Sequence, residues 1–255
     1  EEGYTSLQKE LSTQRDAAPK QSKSAQRAEL GPGNVGNVVR NLFDNTVGYG
    51  ISTSQNKRTI RELKNNSEAA KKYMTVLIPG LFQNIGSQWR FARLERKKGR
   101  LPYHVHPNNG LHKKERERKA IEQLKELKRK TGKNPYKLIS GHSDGAALGI
   151  GIVQSEKTVK EHNIYAVQAR APSAHGVTGD YTLGQKMLIP IAPNDNVKKS
   201  YMARRGAFYN AKMRPHAKVY VVAGEYDGLV KPRDAVYKHA EGHYLAQGKK
   251  STHFG

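Results

Sequence analysis

The strongest constraint on this chain is a regular alternation of short apolar runs with longer segments of helical pattern. Tyr73-Met-Thr-Val-Leu-Ile78 is a continuous apolar run that stops at Pro79-Gly80, as a strand buried on both faces does. Gly86 to Lys98 then reads as a helix and Leu101 to Val105 as a strand. Around His112 to Arg129, residues Leu111, Ala120, Ile121, Leu124 and Leu127 share one helical face, with Lys, Arg and Glu elsewhere. Gly132 closes that helix. Tyr136 to Ser140 is the next strand, Gly145 to His162 the next helix, and Ile164 to Ala169 and Lys218 to Ala223 are two more strands. This order predicts βαβ units: an α/β fold with a mostly parallel sheet and helices on both faces.

The pattern does not reach the start of the chain. Residues 1–30 contain no Val, Ile, Phe or Trp, so they bury too little apolar surface to offset their ordering entropy. A flexible tail over 1–35 and one domain over 36–255 are expected, with Gly31-Pro-Gly33 at the boundary. Gly36 to Ile51 is too interrupted by Gly and Asn to assign. The tail has no apolar segment of the kind an intact signal peptide needs, and no apolar run in the chain approaches the ~20 residues of a membrane span. A soluble or peripheral protein is expected, with its compartment open. The first residue is Glu1 rather than Met, so a processed or trimmed N-terminus is expected. There are no cysteines, which excludes disulfides, thiolate metal sites and a cysteine nucleophile.

Charge narrows the partners. The 255 residues carry 45 Lys and Arg against 22 Asp and Glu, a formal net charge of +23. Residues 1–40 hold six basic and five acidic side chains, so +22 belongs to the body. An excess of this size implies an anionic partner: an acidic membrane or, alternatively, nucleic acid. The basic clusters lie at 113–133, at Lys97-Lys-Gly-Arg100 and at Lys198-Lys-Ser-Tyr-Met-Ala-Arg-Arg205. No nucleic-acid module is legible among them.

Gly141-His-Ser-Asp-Gly145 falls between the strand ending at Ser140 and the helix that follows. A Gly-x-Ser-x-Gly turn in that setting is the pattern of a nucleophile elbow. The glycines remove Cβ atoms that would strike the neighbouring strand and helix. The turn lifts the Ser143 hydroxyl above the sheet edge, at a helix N-terminus that favours an oxyanion. His142 reads as a filler of the elbow's second position. A serine nucleophile needs a base, and the base an orienting carboxylate. Asp227 follows the apolar strand that starts at Lys218, and His253 stands almost at the end of the chain. Asp195, after Leu188-Ile-Pro-Ile-Ala-Pro-Asn, is the alternative acid. His239 and His243 are rival bases, set on what Tyr237, Ala240, Tyr244 and Leu245 suggest is a helix.

With serine, aspartate and histidine in that order, residues 72–255 resemble an α/β-hydrolase, most closely a lipase or esterase. The matching pieces are Val76-Leu-Ile-Pro-Gly-Leu-Phe82, Gly141–Gly145, Ala223-Gly-Glu-Tyr-Asp-Gly-Leu-Val-Lys-Pro232 and Thr252-His-Phe-Gly255. The resemblance implies a serine hydrolase of carboxylic esters, lipids included, needing no cofactor. It implies an oxyanion hole made by the amide of Asp144 and that of Leu81 or Phe82. The family's usual His-Gly at the oxyanion loop is Pro79-Gly80 here. The resemblance also implies a cap or lid at about 172–215, where Met187, Met202 and Met213 suit an adaptable apolar pocket. A non-catalytic, basic subunit of the same fold, in a ribonucleoprotein or virion, is the alternative. His104 and His106 share a strand face, but no third ligand accompanies them and a metal is not expected.

Overall fold

Met74 to Ile78 are buried at all five consecutive positions, which requires cover on both faces of the strand. In the computed structural model this strand, β1, lies inside a six-stranded sheet. The described residues are 33–80, 83–107, 113–172, 174, 214–227 and 230–247. The other strands are β2 (Leu101–His104), β3 (Lys137–His142), β4 (Ile164–Arg170), β5 (Lys218–Gly224) and β6 (Gly242–Ala246). Their spatial order is β2-β1-β3-β4-β5-β6, and every neighbouring pair is parallel. The chain leaves β1 for β2 on one side and returns to place β3 on the other. Ligands of such sheets bind outside the carboxyl ends of the strands at that reversal, here the ends of β1 and β3.

The helices are α1 (Gly33–Asn65), α2 (Trp89–Lys97), α3 (Lys113–Thr131), α4 (Asp144–Ile152) and α5 (Glu156–His162). Two departures from the sequence reading concern them. The segment expected as one helix over 145–162 breaks into α4 and α5, because Ser155 caps a new start by accepting from the Thr158 amide. The unassigned stretch after Gly36 belongs to α1, 33 residues and about 50 Å long. The inner stripe of α1 is polar or small at Asp44, Gly48, Ser52, Asn56 and Thr59, and only near its end does Leu63 enter the hydrophobic core. Asn56 and Thr59 seal the free edge of the sheet. Asn56 accepts from the His104 amide at 2.7 Å and donates to its carbonyl at 2.9 Å, while Thr59 donates to the Pro102 carbonyl at 2.7 Å.

The third departure is β6. The segment expected as a helix around Tyr237 to Leu245 is a turn followed by this edge strand, and the apparent helical spacing spans two unlike pieces. Residues 33–35, the end of the tail expected over 1–35, belong to α1; residues 1–32, nearly all of the expected cap, and residues 248–255 lie outside the described residues. Among the described residues, no helix is long and apolar enough to cross a membrane.

Two buried histidines make the core sensitive to acid. His104 is 2% exposed, and its Nε2–H donates to Gln55 at 2.8 Å; burial holds its pKa down at about 3. His162 is fully buried at the end of α5, and burial holds it down at about 4. Both rings are neutral in the fold but take up protons below about pH 6.5 when unfolded. Their stability contribution is therefore complete above that pH and falls as pH drops toward 4 and then 3, by at most ~1.4 kcal/mol per pH unit for each group. Urea midpoints should fall over this window, and His104→Gln with His162→Phe should flatten the fall. An unchanged slope in the double variant counts against this account.

Candidate functional site: a serine at the strand-order reversal

At the end of β3 the backbone makes the turn that the sequence implied. Ser143 has φ 54° and ψ −121°, a conformation costly for a residue with a side chain. Its surroundings hold it there. Its N–H donates to the Arg170 carbonyl at 2.8 Å, and its carbonyl accepts from the Ala146 amide at 3.0 Å. A Cβ on Gly141 would lie 2.3 Å from the Gly145 carbonyl oxygen, and one on Gly145 would lie 2.3 Å from the Pro79 carbonyl oxygen. Neither position admits a side chain. The elbow therefore presses directly on the end of β1, and Ser143 caps α4, whose N-terminus faces the strand-order reversal.

Asp144, the next residue, carries the expected oxyanion amide, and its side chain is buried. It pairs with Arg116 of α3, which is fully buried. The pair ties the first turn of α4 to α3 and compensates two desolvated charges. The loop after β1 approaches from the other side. Gly80 is close enough that a Cβ there would be 3.1 Å from the Ser143 Cβ. Gln83, 6% exposed, accepts through Oε1 from the Gly80 amide at 3.0 Å and from His142 Nδ1 at 3.1 Å. The adjacent Asn84 is gripped by α1: its amide donates to Asn45 Oδ1 at 2.9 Å, and its Nδ2 donates to the Asn45 carbonyl at 2.7 Å. Gly48 of α1 packs so tightly on this segment that a Cβ would fall 2.4 Å from the Gly86 carbonyl oxygen.

β4 joins the two halves. The guanidinium of Arg170 donates to Gln88 and lies over the Phe91 ring at 4.3 Å. Burial lowers its pKa to about 10, so it stays cationic at neutral pH. Ala171 beyond it is also left-handed, at φ 45°, with its N–H donating to the Val222 carbonyl of β5 at 2.7 Å. After β5 comes Asp227, 1% exposed, whose Oδ1 accepts from the Val230 amide at 2.8 Å. The parallel sheet thus puts Ser143 and Asp227 at the same edge, with β4 between them.

Of the residues singled out in the sequence, Gly141, Ser143, Asp144 and Gly145 lie at the junction of β3 and α4, and Asp227 follows β5. His253, Leu81, Phe82 and Asp195 lie outside the described residues. The rival base His243 is on β6, not on a helix, and its Nε2 accepts from the Tyr237 amide at 3.1 Å. His239 precedes that strand, its ring 5.7 Å from the Tyr237 ring. The reading missed Gln83, Asn45, Gly48 and Arg116. Only Gln83 leaves a local trace, a polar residue three positions after the glycine whose amide it meets.

A second feature is electrostatic. Lys57, Arg58 and Arg61 stand exposed on the outer face of α1 and have no ion pair among the described residues. With Ser54, Glu62 and Asn65 they line an open groove of about 580 Å³. Glu62 does not neutralise them. Burial works against its charge, but Lys72 and Arg96, each at 2.9 Å, hold its carboxyl below the usual range.

No protein-family model matches the sequence, and no curated protein matches it either. Solved structures do match. A metagenomic carboxyl esterase is 16% identical, with a TM-score of 0.52 over 70% of this chain and 64% of its own. The mature Bacillus licheniformis lipase BlEst2 is 13% identical, with a TM-score of 0.55 over 72% of this chain and 86% of its own. The chain thus spans less than two thirds of the esterase. At these identities the likeness speaks for the fold, and the protein has the α/β-hydrolase fold that the sequence resemblance implied.

Arg116→Met should leave the Asp144 carboxylate buried without its cation, at a cost of about 3–5 kcal/mol. Arg116→Lys should lose clearly less. Urea unfolding of the two variants checks this, and equal losses would remove the ion pair from the account.

Proposed function

We propose that the chain is a serine hydrolase of carboxylic esters, lipid esters among them. The observation that carries this is the left-handed Ser143 between β3 and α4, locked by glycines at the end of β1. The likeness to a carboxyl esterase and a lipase supports the same reading. Ser143 Oγ attacks the ester carbonyl while His253 takes its proton, then returns it to the leaving alcohol. Asp227 orients the imidazole and stabilises its cation. The amides of Asp144 and of Leu81 or Phe82 receive the oxyanion, a term worth ~2.7–4 kcal/mol per donor in well-studied cases. Water then releases the acid from the acyl-enzyme.

Labelling with a fluorophosphonate probe tests the reading without knowledge of the substrate. Ser143→Ala should abolish both labelling and p-nitrophenyl ester cleavage. Asp227→Asn should lower kcat roughly 10⁴-fold, as loss of an orienting carboxylate does elsewhere, while Asp195→Asn costs little. Labelling that survives in Ser143→Ala, or the opposite ranking of the two aspartates, refutes these assignments.

The uncompensated cations of α1 favour an anionic lipid surface as partner, since an ester hydrolase works where its substrate lies. Exposed charges are screened beyond ~8 Å at physiological salt. Binding to anionic vesicles should therefore weaken steeply with salt, speed ester cleavage, and fall when Lys57, Arg58 and Arg61 are all changed to Ala. Strong RNA binding with no response of activity to vesicles would transfer the charge to nucleic acid.

A further inference from the structure

We infer that Gln83 is a positioning residue that locks the oxyanion loop to the nucleophile elbow through His142. The inference rests on the serine-hydrolase reading and adds to it a residue that acts through the Gly80 amide and the His142 ring.

The chemistry of one shared atom carries the argument. Gln83 Oε1 faces the Gly80 amide at 3.0 Å and His142 Nδ1 at 3.1 Å. A backbone N–H can only donate, so the Gln83 atom at that point is the carbonyl oxygen. An oxygen that accepts from Gly80 can only accept from the ring as well. His142 therefore carries its proton on Nδ1, and one buried amide oxygen fixes both the tautomer of the elbow histidine and the direction of the Gly80 amide.

Two consequences follow for the oxyanion hole. The Gly80 amide is engaged by Gln83, which favours Leu81 or Phe82 over Gly80 as the proposed oxyanion donor. The loop is also pinned at two points on either side of residues 81–82. On one side the Gln83 side chain holds Gly80 against the elbow, within 3.1 Å of Ser143 Cβ as measured from an added Cβ. On the other, Asn45 of α1 holds Asn84. Without Gln83, the buried Gly80 amide and the half-buried His142 ring both lose this acceptor, and the elbow side of the loop is freed.

Oxyanion contacts are made in the transition state rather than with bound substrate, so a slackened loop shows in kcat and not in KM. A misplacement of about 1 Å costs on the order of 10²-fold. Gln83→Leu, which keeps the bulk and removes the acceptor, should lower kcat on that order, with KM changed less than about twofold. Gln83→Glu, which keeps an acceptor for both donors, should recover most of the rate. In ¹⁵N spectra of the imidazole, His142 should show the Nδ1–H tautomer in the wild type and lose that preference in Gln83→Leu. In Gln83→Glu its titration should move to higher pH, because the facing carboxylate favours the imidazolium.

The inference is overturned if Gln83→Leu keeps the wild-type kcat, if Gln83→Glu is as slow as Gln83→Leu, or if the His142 spectrum does not respond. The spectrum also separates the two readings. A wild-type protein that neither cleaves esters nor takes the fluorophosphonate probe fails as a hydrolase. In that event an altered tautomer in Gln83→Leu still supports the bridge, and an unaltered one refutes it.

Discussion

The backbone of Ser143 sits where an L-residue is uncomfortable, at a cost on the order of 1–3 kcal/mol, and much of the molecule is arranged to keep it there. The serine amide is satisfied by the end of β4, and its carbonyl begins the ladder of α4. Gly141 and Gly145 allow contacts that no side chain would survive. The Arg116–Asp144 pair then holds the first turn of α4 from outside the sheet. Such strain lasts only where the surroundings over-determine it. Here three strands and two helices all bear on one turn.

What the sequence made legible follows from how each element is stabilised. β1, β3 and the elbow are stabilised by apolar burial and by glycines at fixed offsets, and both leave marks in the order of residues. α1 is different. Only its end, through Ile60 and Leu63, meets the hydrophobic core; before that the inner stripe meets polar partners, so Asp44, Asn45, Ser52, Asn56 and Thr59 face inward where an amphipathic pattern would have shown Leu and Ile. Periodicity of hydrophobic residues cannot reveal a helix that docks by hydrogen bonds. The bridge through Gln83 was hidden for a related reason. Its partners, Gly80 and His142, are far apart in the chain and adjacent only because β1 pairs with β3.

The charge of the body takes on a structure as well. Most carboxylates of the described helices are held by neighbouring cations within a turn or across a helix contact: Glu62 by Lys72 and Arg96, Glu95 by Arg100, Glu126 by Arg129. The positive excess is then what remains after this pairing, and on α1 it is concentrated along one outward face.

The way α1 closes the sheet has a consequence for how the chain is made. Synthesis delivers this helix tens of residues before the strand it covers, and a helix with a polar inner stripe has little reason to persist alone. β1 and β2 can pair as soon as both have emerged, with the outer hydrogen bonds of β2 still open to any other extended chain. Asn56 and Thr59 end that interval by occupying the His104 and Pro102 groups themselves. On this view α1 is the protein's own guard against association between nascent chains, and it acts late although it is synthesised early.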